Sequence, residues 1–547
     1  MGAIASQFQW PLLDCKASCN PMAGRFTRKL IVRCFPDPAT GLSLKIQNHH
    51  VYLRLPLRTC FGLLFQAMKS KYLPFAILST FFLFFGFLPA SGRTWTDVKT
   101  GRTLEGAFVK TSEGKVLVRR STGKVIQIDL KLLSKADQDF VSAQGKVGGG
   151  ASWTTFRGES RTDHSPDSGL LKTWPEEGPK LLWEYRDCGK GYSGPAIVGG
   201  KIYYTGSFEG QAKIICLNVE DGEELWTSNL GEDPAKGYST GWGSGPRGTP
   251  TVNDGMVYAI SANGSLMAVD AADGKKVWSK ELVDDFGGKV PPWGYSESVL
   301  VDGDRLIVTP GGKDGAIAAL DKKTGKTIWR SKELTDRAEY SSVVIAEVNG
   351  KKQYVQLFMK TLAGVDAGTG KLLWTSKWPK GRTAVIPTPI YQDGKVYMTS
   401  GYGAGCKLVD ISGAEAKDIW ENKEMKNHHG GVVLVDGYLY GFSDGRGLIC
   451  QDFKTGERKW NKSGEGIQKG AVHYADGMLY CVNESDGSVF LAVATPDGFS
   501  EKGRFPMPKV TKLREGTNGK VWTHPVVLDG KLYLRDQDLV FCFDVSQ

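Results

Sequence analysis

From residue 183 onward, apolar and polar positions alternate in short runs broken by glycine turns. Eight such runs recur: PAIVGGKIYY, PTVNDGMVYA, SVLVDGDRLIV, VVIAEVNGKKQYV, PIYQDGKVYM, VVLVDGYLYG, VHYADGMLYC and PVVLDGKLYL. Alternation on both sides of a tight turn predicts two antiparallel strands joined as a hairpin. In phase with them runs a second series, an Asp/Thr-Gly turn followed by an aromatic residue. Its clear copies are VEDGEELW (Trp226), AADGKKVW (Trp278), KKTGKTIW (Trp329), AGTGKLLW (Trp374) and FKTGERKW (Trp460); ISGAEAKDIW (Trp420) and TPDGFSEKGRF (Phe505) are degenerate. The period of roughly 40–52 residues is that of one four-stranded sheet per repeat, the unit of a β-propeller.

The two series differ in number, eight hairpins against seven turns. The last hairpin is followed by DLVFCFDVSQ and has no tryptophan strand, whereas LLWEY at 181–185 is a tryptophan strand with no hairpin before it. Joining them builds an eighth blade from both ends of the domain and leaves no open sheet edge, which would otherwise invite aggregation. The expectation is an all-β chain with an eight-bladed propeller over 153–547. A seven-bladed ring is the alternative.

Upstream, the segments TLEGAFVKT, KVLVRR and KVIQIDL alternate between turns, predicting a small β module at 93–144, with Ser134 as the N-cap of a closing helix. GKVGGGAS at 145–152 reads as a flexible linker. The stretch 68–92, MKSKYLPFAILSTFFLFFGFLPASG, has the charged, apolar and small-residue zones of a secretory signal peptide. Its apolar part, 72–88, retained as a membrane anchor, is the competing reading. Both place the propeller outside the cytoplasm, secreted or periplasmic. Residues 1–67 precede the signal without a clear period and are read as a spurious or disordered extension of the frame.

Charge narrows the partners. The formal net charge is +10, but residues 1–92 hold ten Lys/Arg and two Asp/Glu, leaving 59 against 57 in the rest. A near-neutral propeller without a basic run offers no electrostatic footprint for nucleic acid. A protein, peptide or glycan partner and a monomeric state are expected.

The Asp/Thr-Gly-x-x-x-Trp copies resemble the PQQ-like repeat family, which includes quinoprotein alcohol dehydrogenases and the BamB outer-membrane assembly lipoprotein. The lead-in WTTFRGESRTDHSPDSGLLKTWPEEGPKLLWEY is similar to that of secreted bacterial members. The resemblance implies that Trp226, Trp278, Trp329, Trp374, Trp420, Trp460 and the LLWEY residue Trp183 dock between blades against glycine turns. Residues 93–141 resemble the Sla homology domain, an SH3-like barrel, through RTWTD, GKVLVRRSTGKVIQIDL and LSKADQDFV. The quinoprotein dehydrogenases carry a vicinal Cys-Cys pair facing the quinone, and their haem-bearing forms a CxxCH motif. Neither occurs in this chain. Nor does an acidic stretch align with their Ca²⁺ site, so no cofactor is expected, PQQ with Ca²⁺ being the enzymatic alternative.

In a propeller, the segments that lead from one blade to the next converge on one face, where ligands bind. Here they carry Tyr192, Trp242, Arg247, Trp293, Tyr295, Glu297, Glu339, Tyr340, His428, Lys469, Trp522 and His524. These form either a binding entrance or a structural closure in which Arg247, Glu297 and Glu339 pair across the channel and tyrosines fill its narrow end. His428 and His429, adjacent on an extended chain, are expected to face opposite ways in a solvated turn, with no metal role. Six cysteines follow the signal (Cys188, Cys216, Cys406, Cys450, Cys481, Cys542); they allow 15 pairings, and Cys216 and Cys542 occupy the same repeat position and are not expected to bond. The functional expectation is an envelope binding or assembly scaffold. The alternatives are a quinone-dependent dehydrogenase with a non-standard site and a carbohydrate-binding propeller with exposed entrance tryptophans.

Overall fold

The computed structural model describes residues 32–35, 43–46, most of 93–141 and, except for 235–236 and 378–382, all of 151–547. It divides into two units, 1–91 and 92–547. In the first, Val32–Phe35 pairs antiparallel with Ser43–Ile46; the signal-like segment 68–92 lies outside the described residues. Among the described residues no helix is long and apolar enough to cross a membrane.

Strands Arg93–Thr96, Thr103–Ser112, Lys115–Arg119 and Val125–Asp129 form an antiparallel meander. Trp95, Val116, Val118, Leu133 and Val141 make its core. The Ser134 hydroxyl accepts the Asp137 N–H at 3.1 Å and its carbonyl accepts the Gln138 N–H at 2.8 Å, the geometry of a helix N-cap.

Eight four-stranded antiparallel sheets follow, at 196–232, 251–281, 300–330, 344–377, 390–422, 432–462, 470–505 and 526–544, numbered here blades 1 to 8. The last is completed by Lys180–Tyr185, which pairs with Leu539–Asp544 in the register Cys542 to Trp183. Both chain ends of the domain therefore share one blade, and the ring closes as the mismatch of the two series predicts. Several hairpins turn on residue pairs that both have positive φ, such as Asp393 (47°) with Gly394 (74°) and Asp476 (48°) with Gly477 (80°). This is the type I′ geometry that matches strand twist, and Asp-Gly tolerates it.

Between blades, a turn glycine lies flat against the tryptophan of the preceding blade. A Cβ on Gly222 would come within 2.6 Å of Trp183, on Gly274 within 2.5 Å of Trp226, on Gly325 within 2.9 Å of Trp278 and on Gly456 within 2.7 Å of Trp420. The indole N–H groups of Trp183, Trp278, Trp420 and Trp460 each donate to a carbonyl of the next blade, Val219, Lys322, Phe453 and Thr495. Trp374 departs from this arrangement. Blade 5's turn, ISGAEAKD, is two residues longer than blade 4's, so Trp374 lies over Gly364 of its own blade and donates to Gln353 Oε1 at 2.5 Å. Phe505 takes the tryptophan role in blade 7 and packs on Gly178. The six cysteines from Cys188 onward are buried and free.

Candidate functional site

The lead-in Trp153–Ser165 closes the central channel. Trp153 exchanges backbone hydrogen bonds with Ile197 of blade 1, and Thr155 shares a hydroxyl contact of 2.7 Å with Thr251 of blade 2. Arg161 donates to the carbonyls of Ser298 and Val299 (2.7 Å each) and Val343 (2.9 Å), tying blades 3 and 4. Arg157 donates to the carbonyls of Arg161, Thr162 and Val432. Asp163, 1% exposed, accepts from His473 Nδ1 at 2.8 Å, and lies 3.4 Å from His524 Nδ1 and 3.5 Å from the Arg157 guanidinium. The Val527 N–H donates to His473 Nε2, so Nδ1 carries the proton offered to Asp163. Burial alone would raise the Asp163 carboxyl; Arg157 and the histidine hydrogen bonds hold it well below the usual carboxylate range. Arg157, Arg161 and Asp163 all adopt positive φ (64°, 55° and 64°), a conformation retained because the surrounding blades bind each side chain.

On top of this plug lies a cup of about 550 Å³. Its floor is a belt of hydroxyls at the start of successive blades. The Gly194 N–H donates to Thr249 Oγ1 (3.0 Å), Thr249 N–H to Ser298 Oγ (2.9 Å), Ser298 N–H to Ser342 Oγ (3.0 Å) and Ser342 N–H to Thr388 Oγ1 (3.3 Å). On the far side, Gly430 and Gly470 replace the hydroxyls, because a Cβ on Gly430 would lie 1.6 Å from the Gly470 carbonyl.

The wall is aromatic. Tyr402 meets His428 edge-on (4.2 Å), His428 stacks on His429 (4.1 Å, 10°), and His429 stacks on Trp522 (4.2 Å, 23°), which adjoins Tyr192 and Trp242. Trp293 and Tyr340 stand together at 6.0 Å. The two histidines thus face the same way, contrary to the expectation for adjacent residues of an extended chain: two glycines follow them, Gly431 at φ 68°, and the chain is turned rather than extended. They are largely buried rather than in a solvated turn, with 11% and 22% of their side chains exposed. Burial pushes the His429 imidazole down to about 4. Lys469 bridges Asp444 and His428 at 3.0 Å each, and Glu484 accepts from the Trp522 indole N–H at 3.0 Å, with His429 Nδ1 3.5 Å away.

Of the twelve entrance residues expected from sequence, Tyr192, Trp242, Arg247, Trp293, Tyr340, His428, Lys469, Trp522 and His524 line the cup. Three do not. Tyr295 is 1% exposed and donates to the Pro310 carbonyl behind the wall. Glu297 is 3% exposed and accepts both the N–H and O–H of Thr309 (2.7 and 2.9 Å). Glu339, next to the lining residue Tyr340, is half-buried and does not line the cup. The channel is therefore not closed by Arg247 pairing with these acids. Arg247 donates to the Gly243 and Gly245 carbonyls and lies over the Tyr192 ring, and the plug closes the channel instead. Phe156, Arg157, Tyr402, Glu484 and the hydroxyl belt also line the cup. The Thr or Ser that recurs just before the first strand of blades 2 to 5, in RGTP, SESV, YSSV and IPTP, was a readable signal for the belt.

Burial pushes the Glu297 and Glu339 carboxyls up to about 7. Between about pH 4.5 and about 7 the folded chain then binds a proton at Glu297 that the unfolded chain has released, so this group's contribution to stability falls as pH rises. Glu297→Gln removes that loss. Melting curves taken across the window are expected to show the variant gaining on the parent as pH climbs, and a gap independent of pH would contradict the assignment.

The fold and the cup define a closed eight-bladed propeller with a ligand-sized entrance. A family model described as outer membrane protein assembly factor BamB matches residues 167–286 and 210–462, more than half of the chain, which belongs to this PQQ-like propeller family. The chain is 27% identical over 292 residues to quinoprotein alcohol dehydrogenase PedH of Pseudomonas putida, covering 50% of this chain and 42% of that protein. It is 24% identical over 336 residues to outer membrane protein assembly factor BamB of Burkholderia pseudomallei, covering 54% and 77%. Quinohemoprotein alcohol dehydrogenase from Comamonas testosteroni shares the fold, with a TM-score of 0.52 over 72% of this chain and 81% of that chain at 14% identity. The chain thus spans less than half the length of the quinoprotein dehydrogenase PedH that it matches.

Proposed function

We propose that this chain is a non-catalytic binding propeller of the cell envelope, whose cup seats a small ligand or a short segment of a partner. The observation that carries this reading is the convergence of the entrance segments on one aromatic-walled cup of about 550 Å³, inside the ~300–1,000 Å³ range of ligand sites. The meander at 93–141 is read as an SH3-like tether, and the signal-like segment as the export or anchoring device.

The residues at the cup do not fit a calcium-held quinone. Asp444 is engaged by Lys469, and Glu484 by Trp522. Among the described residues no three His, Cys, Asp or Glu side chains converge as a metal site. The six cysteines from Cys188 onward are buried and free, and none of them lines the cup. A carbohydrate-binding role is the second reading, favoured by Trp242, which is 43% exposed and so accessible as a stacking platform.

Titration calorimetry of the full chain with PQQ and Ca²⁺, followed by a dye-linked assay on alcohols and sugars, tests the first reading. No binding heat and no turnover are expected. Tight binding with turnover would make the chain an oxidoreductase and end the scaffold reading.

A further inference from the structure

The polar groups of the cup are unbalanced toward donors. In the belt, Thr249, Ser298, Ser342 and Thr388 each accept a backbone N–H, and their own O–H groups have no acceptor among the described residues. A row of hydroxyl protons is thus left facing the cup. The carboxylate on the wall, Glu484, accepts the Trp522 indole N–H through one oxygen and lies 3.5 Å from His429 Nδ1. A ligand that satisfies this floor must bring the acceptors itself, because a donor desolvated without one loses the hydrogen bond that water had supplied.

Charge points the same way. Arg157 and Lys469 are offset by Asp163 and Asp444, and Glu484 leaves one negative charge on the wall beside Lys469 and His429, against the two positive charges of Arg247 and Lys520. Arg247 and Lys520, which also line the cup, make no ion pair among the described residues. Both border the same tryptophan corner. Arg247 lies 5.3 Å over the Tyr192 ring; Tyr192 donates to the Trp242 carbonyl, and Gly519, next to Lys520, packs against the Tyr192 hydroxyl and Trp242. An exposed aromatic platform, two unpaired cations and a row of hydroxyl donors therefore share one cavity.

We infer that the cup binds an acidic saccharide, with a sugar face on Trp242 and Trp522, its carboxylate or sulfate beside Arg247 and Lys520, and its oxygens over the hydroxyl belt. This rests on the reading of the cup as a binding site and narrows it. The flat rings take the C–H face of the sugar, the cations take the anion as charge-assisted hydrogen bonds, and the belt takes ring and hydroxyl oxygens.

The test is calorimetric titration of the full chain with trigalacturonic acid, its methyl ester, a chondroitin sulfate disaccharide and 4-hydroxybenzoate. The acid is expected to bind about tenfold more tightly than its ester, the worth of one charge-assisted contact. That preference should shrink when salt shortens the screening length from about 10 Å to about 3 Å. Lys520→Gln should lower acid binding about tenfold and leave the ester unchanged, Lys520→Arg should restore it, and Trp242→Ala should weaken both. Because Lys520 and Trp242 lie at the surface of the cup, unchanged melting curves separate these effects from misfolding. Binding of the disaccharide but not the galacturonate, lost when the unsulfated disaccharide replaces it, would assign the anion as sulfate. Equal binding of acid and ester overturns the acidic assignment and leaves the cup reading intact. Binding of 4-hydroxybenzoate alone overturns the saccharide. No heat from any saccharide overturns the inference but not the wider reading, which a peptide ligand would still satisfy.

Discussion

Replacing Asp163 with alanine is expected to cost about 3–5 kcal/mol, the usual result of leaving a buried charge without its partner. The Arg157 guanidinium has 1% of its side chain exposed and its NH1 makes no hydrogen bond, with Asp163 3.5 Å away as its counter-charge. The substitution also takes the acceptor from His473 Nδ1, a second buried donor. Chemical denaturation of the single variant should show the full loss. The double variant Asp163→Ala/Arg157→Met should recover part of it, since residues in one network are not additive. If the single variant lost less than about 1 kcal/mol, the plug would not be the dry, coupled element described above. The same loss should loosen the cup floor, because Arg157 and Arg161 tie the lead-in to blades 3, 4 and 6.

The second large effect is expected at the contact between blades 3 and 4. Trp329 is 9% exposed and stacks on Tyr354 at 6.1 Å. Gly370 of the next blade's turn, at φ 73°, lies against it so closely that a Cβ would meet the indole at 2.3 Å. Trp329→Ala should cost about 3–5 kcal/mol as a buried large aromatic. Gly370→Ala should also destabilise, by about 1–2 kcal/mol for the left-handed backbone and more for the clash. The pair should fall well short of additivity, because alanine at 329 removes the atoms that the new methyl would strike. Thermal melts of the two single variants and the double check this. The same substitution at Gly413, in the lengthened blade 5 turn, should be mild. The nearest atom to a Cβ there is the Glu415 carbonyl at 3.7 Å, and Trp374 lies over Gly364 instead.

Much of this architecture was legible because a repeat writes each contact several times. The closure of blade 8 followed from counting two series, and the Trp–Gly contacts from the family resemblance that the Asp/Thr-Gly-x-x-x-Trp copies carry. Nine entrance residues could be named because a position leading into one blade leads into all of them. Tyr295, Glu297 and Glu339 were misplaced for a local reason. Within one entrance segment neighbouring residues alternate between facing the cup and facing the blade core, so Ser296 and Ser298 line the cup while Glu297 bonds to Thr309 behind it. Sequence spacing locates the segment but not the side of it that faces the axis.

By itself, then, the sequence determined the blade count and the face on which the entrance lies, because strand period and turn chemistry are local and recur; the docking tryptophans came with the family resemblance, and Trp374 departs from it. Only the tertiary structure decided what closes the channel, which entrance residues face it, and how His428 and His429 stack. The lead-in bears no period of its own, and Arg157, Arg161 and Asp163 acquire their roles from backbone carbonyls and histidines that lie 137 to 361 residues away in sequence. Such contacts depend on the ring having closed, and no local pattern encodes them.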